Sequence, residues 1–361
     1  MTIGVDGGAL SIADDRLKVG VYRVTFNLLR ELGKLDVRND YRIYSFLPID
    51  RGAMDAFGTR IKNVVLAPSI GWATVRLPLE LKLHPVDVYL GLSQSVPLSA
   101  SHIIGFIYDL GFLHRPQDYP GSAEKLEKQT WELVGRSRHI VTISHASSLD
   151  IQETYGVEAE KITVVYSGID ARFSAKGKAY RHTHPYVLFV GSLKPGKNVP
   201  LAIRAFAQVL KKSKRVTDFI IIGSTYWLDP EIAKTIKELE IGDRVILKGF
   251  VSDADLPSYY RGAAVFIAPS QSEGFCLPAI EAQACGTPVL VSDVGAFPEV
   301  IGKSGIIVAS GDVEGFTKGL DTLVNDKKKH DSYRKLGLAN AKRFSWKQFA
   351  QTVLKGIGSP Q

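Results

Sequence analysis

The sequence predicts an α/β protein of two domains, each built on a parallel, doubly wound sheet. The chain has 361 residues, about the length of two average domains. Short apolar runs alternate along it with longer amphipathic stretches, which is typical of repeated βα units. Some runs, such as Ile103–Tyr108, are apolar without strict alternation, as expected for strands that are covered on both faces.

The first half of the chain contains both kinds of segment in alternation. Its predicted strands are Thr2–Asp6, Tyr41–Leu47, Asn63–Leu66, Val86–Leu90, Ile103–Tyr108, Ile140–Ile143 and Ile162–Val165. Its clearest predicted helices are Gly20–Leu32, Ala123–Gly135 and Ala146–Tyr155. The segment Ser167–Pro185 then interrupts the alternation, because it has two glycines, one proline and several charges but no long apolar run. We therefore predict that it links two domains.

A second series of alternating segments follows this linker. Its predicted strands are Tyr186–Val190, Phe219–Ile222, Arg244–Leu247, Val265–Ala268, Pro288–Val291 and Gly305–Val308. The last two helical patterns, near Ser332–Arg343 and Trp346–Ile357, have no strand after them.

Charge and composition restrict the partners and the location. The net charge of +8 favours anionic partners such as phosphates, nucleic acid or a bilayer surface, although a solvated basic face explains it equally well. Two cysteines, Cys276 and Cys285, are too few for a disulfide scaffold and fit a reducing compartment. No apolar run approaches the ~20 residues needed to cross a bilayer, and the N-terminus has the pattern of a strand. We expect a cytoplasmic protein whose membrane contact, if any, is peripheral at the inner face.

The stretch from Ala264 to Pro288 carries the most chemical information. An apolar strand ends at Pro269-Ser270, and a helix begins at Pro278 and stops at Gly286. The loop Glu273–Leu277 therefore precedes a helix N-terminus, whose amides and dipole favour an anion. Gly274 allows the backbone to approach a ligand closely. Glu281, about one turn into the helix, is placed to accept hydrogen bonds from ligand hydroxyl groups.

The run from Gly249 through Val300 closely resembles the donor domain of retaining glycosyltransferase family 4. The matching pieces are Pro269-Ser270, Glu273-Gly274-Phe275, Leu277-Pro278, Glu281-Ala282 and Cys285–Pro288. Phe189–Asn198 is similar to the first strand-loop-helix of that domain, in which a lysine, here Lys197, binds the diphosphate. Ser144–Ser147 and Lys161–Asp170 resemble the end of the acceptor domain, and Gly20–Tyr22 resembles its glycine-rich loop.

This resemblance implies a GT-B fold, in which two Rossmann-like domains face each other across a cleft. Residues 1–172 would bind the acceptor, residues 173–345 would bind the donor, and a helix at 346–361 would cross back to the first domain. The implied reaction is retaining transfer of a hexose-type sugar from a GDP- or UDP-linked donor to a glycan or a lipid-linked acceptor. No nucleic acid partner is expected.

The resemblance also assigns residues to the site. The expected catalytic residues are Glu273, Lys197, Asp109 and Tyr108. The expected donor-binding residues are Gly20, Gly191, Ser192, Lys197, Asn198, Phe250, Val251, Gly274, Phe275, Cys276, Leu277 and Glu281. Tyr108-Asp109 stands where family members often carry His-Asp, and Ser192 stands where some carry arginine. Lys197 and the helix amides supply positive field at the diphosphate, so we expect neither a metal nor another cofactor.

Three alternatives stay open at this point. Gly191–Asn198 nearly matches a P-loop, with Asn198 where Ser or Thr should bind Mg²⁺, so an NTPase is a rival interpretation. Tyr108 in place of histidine is compatible with a transferase-like protein that binds nucleotide sugar but has lost catalysis. Asp253-x-Asp255 resembles a metal-binding pair, but Ser252–Asp255 fits a capping box that opens a helix at Leu256 better.

Overall fold

Two separate parallel sheets divide the chain into two units. The computed structural model describes residues 1–12, 14, 18, 20–93, 96–97, 99–100, 102–212, 217–224 and 228–358. One unit consists of Met1–Gly168 together with Ser345–Gln361, and the other of Ile169–Phe344. The chain therefore passes between the units twice, after Gly168 and after Phe344.

A parallel sheet forms the centre of the first unit. Its strands within the described ranges are β1 (Thr2–Asp6), β2 (Asp40–Ser45), β3 (Ile61–Val65), β4 (Val88–Gly91), β5 (Ile103–Phe106), β6 (His139–Thr142) and β7 (Ile162–Val164). They lie in the order β3-β2-β1-β4-β5-β6-β7. In the register of β1, Ile3 pairs with Tyr41 on one side and with Val88 on the other. Ile3 and Val5 are fully buried, as the apolar runs predict for a sheet covered on both faces.

Helices cover this sheet. They are α1 (Gly20–Leu35), α2 (Arg51–Phe57), α3 (Leu77–Leu83), α4 (Gly111–His114), α5 (Ala123–Arg136), α6 (His145–Tyr155) and α14 (Trp346–Gly358), numbered in chain order. The C-terminal helix α14 belongs to the first unit, where the ring centroids of Phe349 and Phe106 lie 6.5 Å apart. Gly168 must lack a side chain, because a Cβ there would meet the backbone nitrogen of Trp346 at 2.1 Å.

A second parallel sheet forms the centre of the other unit. Its strands within the described ranges are β8 (Tyr186–Val190), β9 (Asp218–Ile222), β10 (Val245–Gly249), β11 (Val265–Ala268), β12 (Val289–Ser292) and β13 (Ile306–Val308). They lie in the order β10-β9-β8-β11-β12-β13. Its helices are α7 (Val199–Lys212), α8 (Pro230–Glu238), α9 (Leu256–Gly262), α10 (Leu277–Ala284), α11 (Phe297–Ile301), α12 (Val313–Asn325) and α13 (Lys327–Ala341). Phe206 on α7, Phe219 on β9 and Phe316 on α12 lie in one fully buried core.

The predicted fold class, two doubly wound parallel sheets, is confirmed, and most element boundaries agree within a few residues. The strand predicted over Ile103–Tyr108 ends two residues earlier, at Phe106, because the chain leaves the sheet there. The helix predicted from Ser332 begins at Lys327, because Asp326 caps it by accepting a 3.0 Å hydrogen bond from the amide of Lys329. None of the described helices is long and apolar enough to cross a bilayer.

Candidate functional site

The second sheet has a switch point between β8 and β11. From β8 the chain winds outward through β9 and β10, and it then returns to add β11, β12 and β13 on the other side of β8. The loops after β8 and β11 therefore diverge above two neighbouring carboxyl ends, which is where open α/β sheets bind ligands. Lys197 follows β8 and Glu273 follows β11. The fold thus brings these two predicted residues to one point of the sheet.

Lys197 and Glu273 are joined by a short ion pair. Lys197 ends a 3-10 turn over Pro195–Lys197, and its Nζ lies 2.6 Å from Oε1 of Glu273. The same carboxylate oxygen accepts a 2.8 Å hydrogen bond from the hydroxyl of Ser270. The two side chains are 20% and 9% exposed, so the pair is largely withdrawn from water. Partial exclusion of water strengthens the electrostatic interactions of both groups, with each other and with a ligand that separates them.

The two loops are also tied together through their backbones. The amide of Gln271, after β11, donates a 2.8 Å hydrogen bond to the carbonyl oxygen of Gly196, after β8. Asn198 takes a left-handed conformation, with φ of 51°, which reverses the chain before α7. The position of Lys197 is therefore set by the backbone on both sides and by its partner Glu273.

The predicted anion site lies at the N-terminus of α10. Cys276 precedes the helix with φ of 66°, Leu277 is its first residue, and no side chain caps it. Burial raises the pKa of the Cys276 thiol well above its usual value, and the nearby Glu273 carboxylate adds to this effect. The thiol is therefore neutral and adds no negative charge beside the helix N-terminus. The positive end of the α10 dipole faces the same loop that carries Glu273.

Glu281 lies on α10, and its side chain is held from the side of α9. Only 4% of Glu281 is exposed, and its Oε2 accepts a 3.0 Å hydrogen bond from the hydroxyl of Tyr260. Tyr260 is fully buried, and its carbonyl oxygen accepts a hydrogen bond from the hydroxyl of Thr287. A buried carboxylate needs such partners to stay in place. Tyr260 therefore positions Glu281, a role that no sequence pattern indicates.

Two glycines support the predicted site by allowing close backbone approach. At Gly295, which has φ of 51°, a Cβ would meet the carbonyl oxygen of Glu273 at 2.1 Å. The amide of the next residue, Ala296, donates a 3.0 Å hydrogen bond to that same oxygen. At Gly223 a Cβ would meet the carbonyl oxygen of Gly191 at 2.0 Å. Glycines in loops after predicted strands are the only sequence signal for either contact.

The remaining donor-binding predictions fall into two groups. Gly191 and Ser192 directly follow β8, and the amide of Gly191 donates a 3.0 Å hydrogen bond to the carbonyl oxygen of Ile222. Phe250 and Val251 follow β10, two strands away from β8, and Phe250 is 45% exposed. Gly274 and Phe275 lie in the loop between Glu273 and α10, where Phe275 is buried. Gly20 lies in the first unit, where it begins α1.

Tyr108 and Asp109 follow β5 in the first unit, and both are engaged locally. The hydroxyl of Tyr108 donates a 3.0 Å hydrogen bond to the carbonyl oxygen of Leu92. Burial, with the neighbouring Asp6, raises the pKa of Tyr108, so the phenol stays neutral. Asp109 accepts a 2.9 Å hydrogen bond from the amide of Gly111. The structure shows where these residues lie, and their catalytic roles stay predictions.

Asp6 is a further acidic residue that the sequence analysis did not single out. It ends β1, it is fully buried, and it accepts hydrogen bonds from the amide of Gly8 at 2.9 Å and of Ser93 at 3.1 Å. Burial raises the pKa of Asp6 in spite of these bonds. Because β1 and β4 are neighbours at the switch point of the first sheet, Asp6 joins the two loops that diverge there.

Asp255 forms a hydrogen-bonded turn with Ser252 before α9, and its side chain makes no capping bond to the helix. The amide of Asp255 donates a 3.2 Å hydrogen bond to the hydroxyl of Ser252, and that hydroxyl donates a 2.7 Å bond to the carboxylate of Asp255. The helix α9 begins at Leu256, as the capping pattern predicts. Asp253 faces Arg172 instead, at 3.8 Å.

Comparison with known proteins shows what this chain is similar to. Residues 171–339 match the family model described as "Glycosyl transferases group 1". The chain is 26% identical over 273 residues to O-antigen chain mannosyltransferase B of Escherichia coli, covering 72% of this chain and 71% of that protein. It is 29% identical over 348 residues to D-inositol 3-phosphate glycosyltransferase of Nocardia farcinica, covering 84% and 76%. For some other relatives the match spans about half of their length.

Solved structures share this fold over nearly the whole chain. The structure of Anabaena Alr3699/HepE in complex with UDP and glucose superposes with a TM-score of 0.77 at 16% identity, covering 99% of both chains. Sucrose-phosphate synthase from Thermosynechococcus elongatus superposes with a TM-score of 0.78 at 17% identity, covering 99% of this chain and 98% of that one. Residues 171–339 therefore resemble a group 1 glycosyltransferase domain, and the chain as a whole has the two-sheet GT-B fold of the glycosyltransferases with which it superposes.

Proposed function

We propose that this glycosyltransferase moves a hexose-type sugar from a GDP- or UDP-linked donor to a glycan or a lipid-linked acceptor, with retention at the anomeric carbon. The observation that carries the proposal is the ion pair of Lys197 and Glu273, 2.6 Å apart, at the switch point of the second sheet. The diphosphate lies between Lys197 and the N-terminus of α10, where it replaces Glu273 as the ionic partner of Lys197. Glu273 is then free to bond the transferred sugar.

The proposed chemistry rests on electrostatic stabilisation of the leaving group. As the glycosidic bond breaks, negative charge grows on the departing nucleoside diphosphate. A fixed cation and a helix N-terminus in a largely buried site stabilise that charge more effectively than water does. Gly295 and Gln271 hold the Glu273 loop against its neighbours, so binding of the diphosphate has to open only the contact between Lys197 and Glu273. The reaction therefore needs no divalent metal at the diphosphate.

The P-loop interpretation of Gly191–Asn198 finds less support. This segment lies within residues 171–339, which match the group 1 model, and Lys197 faces Glu273 from the next strand. The interpretation as a protein that binds nucleotide sugar without turnover keeps one specific observation in its favour. The hydroxyl of Tyr108, which stands at the usual histidine position, is engaged by the carbonyl oxygen of Leu92.

Release of nucleoside diphosphate tests the proposed reaction. The purified chain is incubated with GDP- and UDP-linked hexoses and with glycan and lipid-linked acceptors, with and without excess EDTA. We expect release that depends on one donor and one acceptor and that persists in EDTA, and a product whose anomeric configuration, read by NMR, matches the donor. Donor binding without turnover favours the inactive alternative. Activity that EDTA abolishes and Mg²⁺ or Mn²⁺ restores contradicts the metal-free mechanism.

A lipid-linked acceptor would require contact with a membrane surface, and one face of the first unit has the necessary character. Large apolar side chains are exposed along residues 65–83; they are Val65, Ile70, Val75, Leu79 and Leu83, with exposures of 42%, 88%, 61%, 47% and 64%. Val75, Leu79 and Leu83 recur at helical spacing, opposite the buried Leu77 and Leu81. Arg76 and Lys82 are exposed beside them, so the face combines apolar groups with positive charge.

We propose that this face binds the surface of an anionic bilayer at the cytoplasmic side, as amphipathic helices rich in basic residues do. Sedimentation with vesicles of phosphatidylglycerol and phosphatidylcholine tests it. The double variant Leu79→Gln/Leu83→Gln should lose most of the vesicle binding. Leu336→Gln, at a residue 43% exposed in the other unit, is the matched control and should bind as the parent chain does. Equal binding by all three proteins would exclude this face.

A further inference from the structure

Two histidines and an aspartate meet at the amino-terminal edge of the second sheet. His182 Nε2 lies 2.7 Å from Asp218 Oδ2, and His184 Nδ1 lies 3.0 Å from the same oxygen. Asp218 is the first residue of β9, and the histidines come just before β8. Lys197 and Glu273 follow the opposite, carboxyl ends of their strands. The cluster therefore lies at the other edge of the sheet from the proposed donor site.

We propose that His182, His184 and Asp218 form a binding site for a zinc ion. Among the described residues, these three offer one ligand atom each within 4.8 Å of one another. Two imidazole nitrogens and one carboxylate oxygen suit Zn²⁺, whereas Mg²⁺ and Ca²⁺ prefer oxygen ligands alone. The fourth position of a tetrahedral site is open to water on the side of His184, whose side chain is 34% exposed.

Both histidine–aspartate contacts must lengthen for an ion to enter the cluster. Zinc–ligand distances of about 2.0–2.1 Å in a tetrahedral site place the ligand atoms about 3.3 Å apart. The pairs at 2.7 and 3.0 Å must therefore each widen by a few tenths of an ångström. His184 has room for this movement because it is partly exposed. The ring of His182 is held by Tyr180, stacked at a centroid distance of 6.2 Å, and by the edge-to-face Tyr186 at 5.8 Å.

The residues around Asp218 also suit a carboxylate that binds a metal ion. Arg244 Nη1 lies 3.3 Å from Asp218 Oδ1, the oxygen that the histidines do not use. Hydrogen bonds of this kind orient the carboxylates of metal sites. Arg244 is itself paired with Asp243, at 3.3 Å, so its charge near the site is partly offset. Residues 169–185 contain no helix or strand. A bound ion would connect the end of this segment to Asp218, the first residue of β9.

Zinc titration of the full chain tests the site. The protein is stripped with EDTA and dialysed, and Zn²⁺ or Mg²⁺ is then added in calorimetry and thermal-unfolding experiments. We expect one Zn²⁺ per chain with a Kd in the micromolar range or below, and a rise in Tm of at least about 3 °C at saturating Zn²⁺. Mg²⁺ should produce neither effect. This measurement does not depend on turnover at the donor site. Failure of the zinc proposal can therefore be distinguished from failure of the proposed function.

Substitutions locate the ion. His184→Gln and His182→Gln/His184→Gln should weaken zinc binding at least about 100-fold, because loss of a ligand exceeds the 10–100-fold effect of losing an outer partner. His84→Gln is the matched control, since His84 pairs with the carboxylate of Glu80 at 3.0 Å but belongs to no group of three candidate ligands within the described part of the chain. Unchanged zinc affinity in the double variant, or no binding by the parent chain up to millimolar Zn²⁺, overturns the proposal and leaves the cluster as a metal-free hydrogen-bonded contact.

Discussion

Lys197→Ala is expected to lower kcat at least about 100-fold, on the scale of losing one preorganised charge contact in a transition state. In family members with an arginine after the first glycine, two cations share the diphosphate, whereas this chain has Ser192 there. Lys197 lies 2.6 Å from Glu273 and is 20% exposed, so little water can replace its charge. The measurement is steady-state release of nucleoside diphosphate with the best donor and acceptor.

The matched control is Lys212→Ala, because Lys212 is exposed at the far end of α7, the helix that follows Lys197. Its kcat should stay within about twofold of the parent value, as is usual for surface substitutions. The thermal unfolding of both variants shows whether Lys197→Ala has instead damaged the fold. A folded Lys197→Ala protein with near-parental kcat would remove Lys197 from the mechanism.

The ion pair also couples the effects of substitutions at Lys197 and Glu273. Removing Lys197 leaves the Glu273 carboxylate, 9% exposed, with the hydroxyl of Ser270 and without its cation. The two residues therefore act as a unit, and the effects of Lys197→Ala and Glu273→Gln on kcat should not add in the double variant. Additive effects would indicate that the pair separates before the chemical step and that each residue then acts alone.

The periodicity of the sequence predicts the fold well, because parallel strands covered on both faces leave continuous apolar runs. Val265–Ala268, for example, is buried along its whole length. The order of the strands in the sheet cannot be predicted in this way, because no local pattern shows that β11 lies beside β8. The closeness of Lys197 and Glu273, 76 residues apart, follows from that order. Only the resemblance to a family anticipates it.

The supporting residues of the site could not be predicted for a related reason. Tyr260 is an ordinary aromatic residue in the sequence, and its bond to Glu281 depends on how α9 packs beside α10. Gly295 is one of 33 glycines, and its contact with Glu273 appears only when the loops after β11 and β12 are placed together. His182 and His184 likewise become candidate metal ligands only because the fold places them beside Asp218. Each contact joins segments distant in the chain, and sequence patterns report mainly local structure.

The two glutamates should separate nucleotide binding from sugar transfer. Glu281→Gln is expected to raise the Kd of the free nucleoside diphosphate at least about tenfold, because a hydrogen bond to a charged group contributes ~1.5–3 kcal/mol. Glu281 is buried and held by Tyr260, so its carboxylate is fixed in place for its proposed contact with the hydroxyls of the donor ribose. Glu273→Gln should leave that Kd within about threefold and lower kcat about 100-fold, because its proposed contact is with the transferred sugar. Calorimetry with the nucleoside diphosphate and turnover with the full donor give the two quantities.

Two further variants test the assignment of Glu281 to the nucleotide and of Glu273 to the transferred sugar. Tyr260→Phe keeps the charge of Glu281 but removes its 3.0 Å hydrogen bond, so it should weaken nucleotide binding less than Glu281→Gln does. Glu314→Gln, at an exposed residue in the first turn of α12, should change neither quantity. If Glu273→Gln and Glu281→Gln weaken nucleotide binding equally, the division of roles is wrong. Both carboxylates then act on the nucleotide, and the residue that contacts the transferred sugar lies elsewhere.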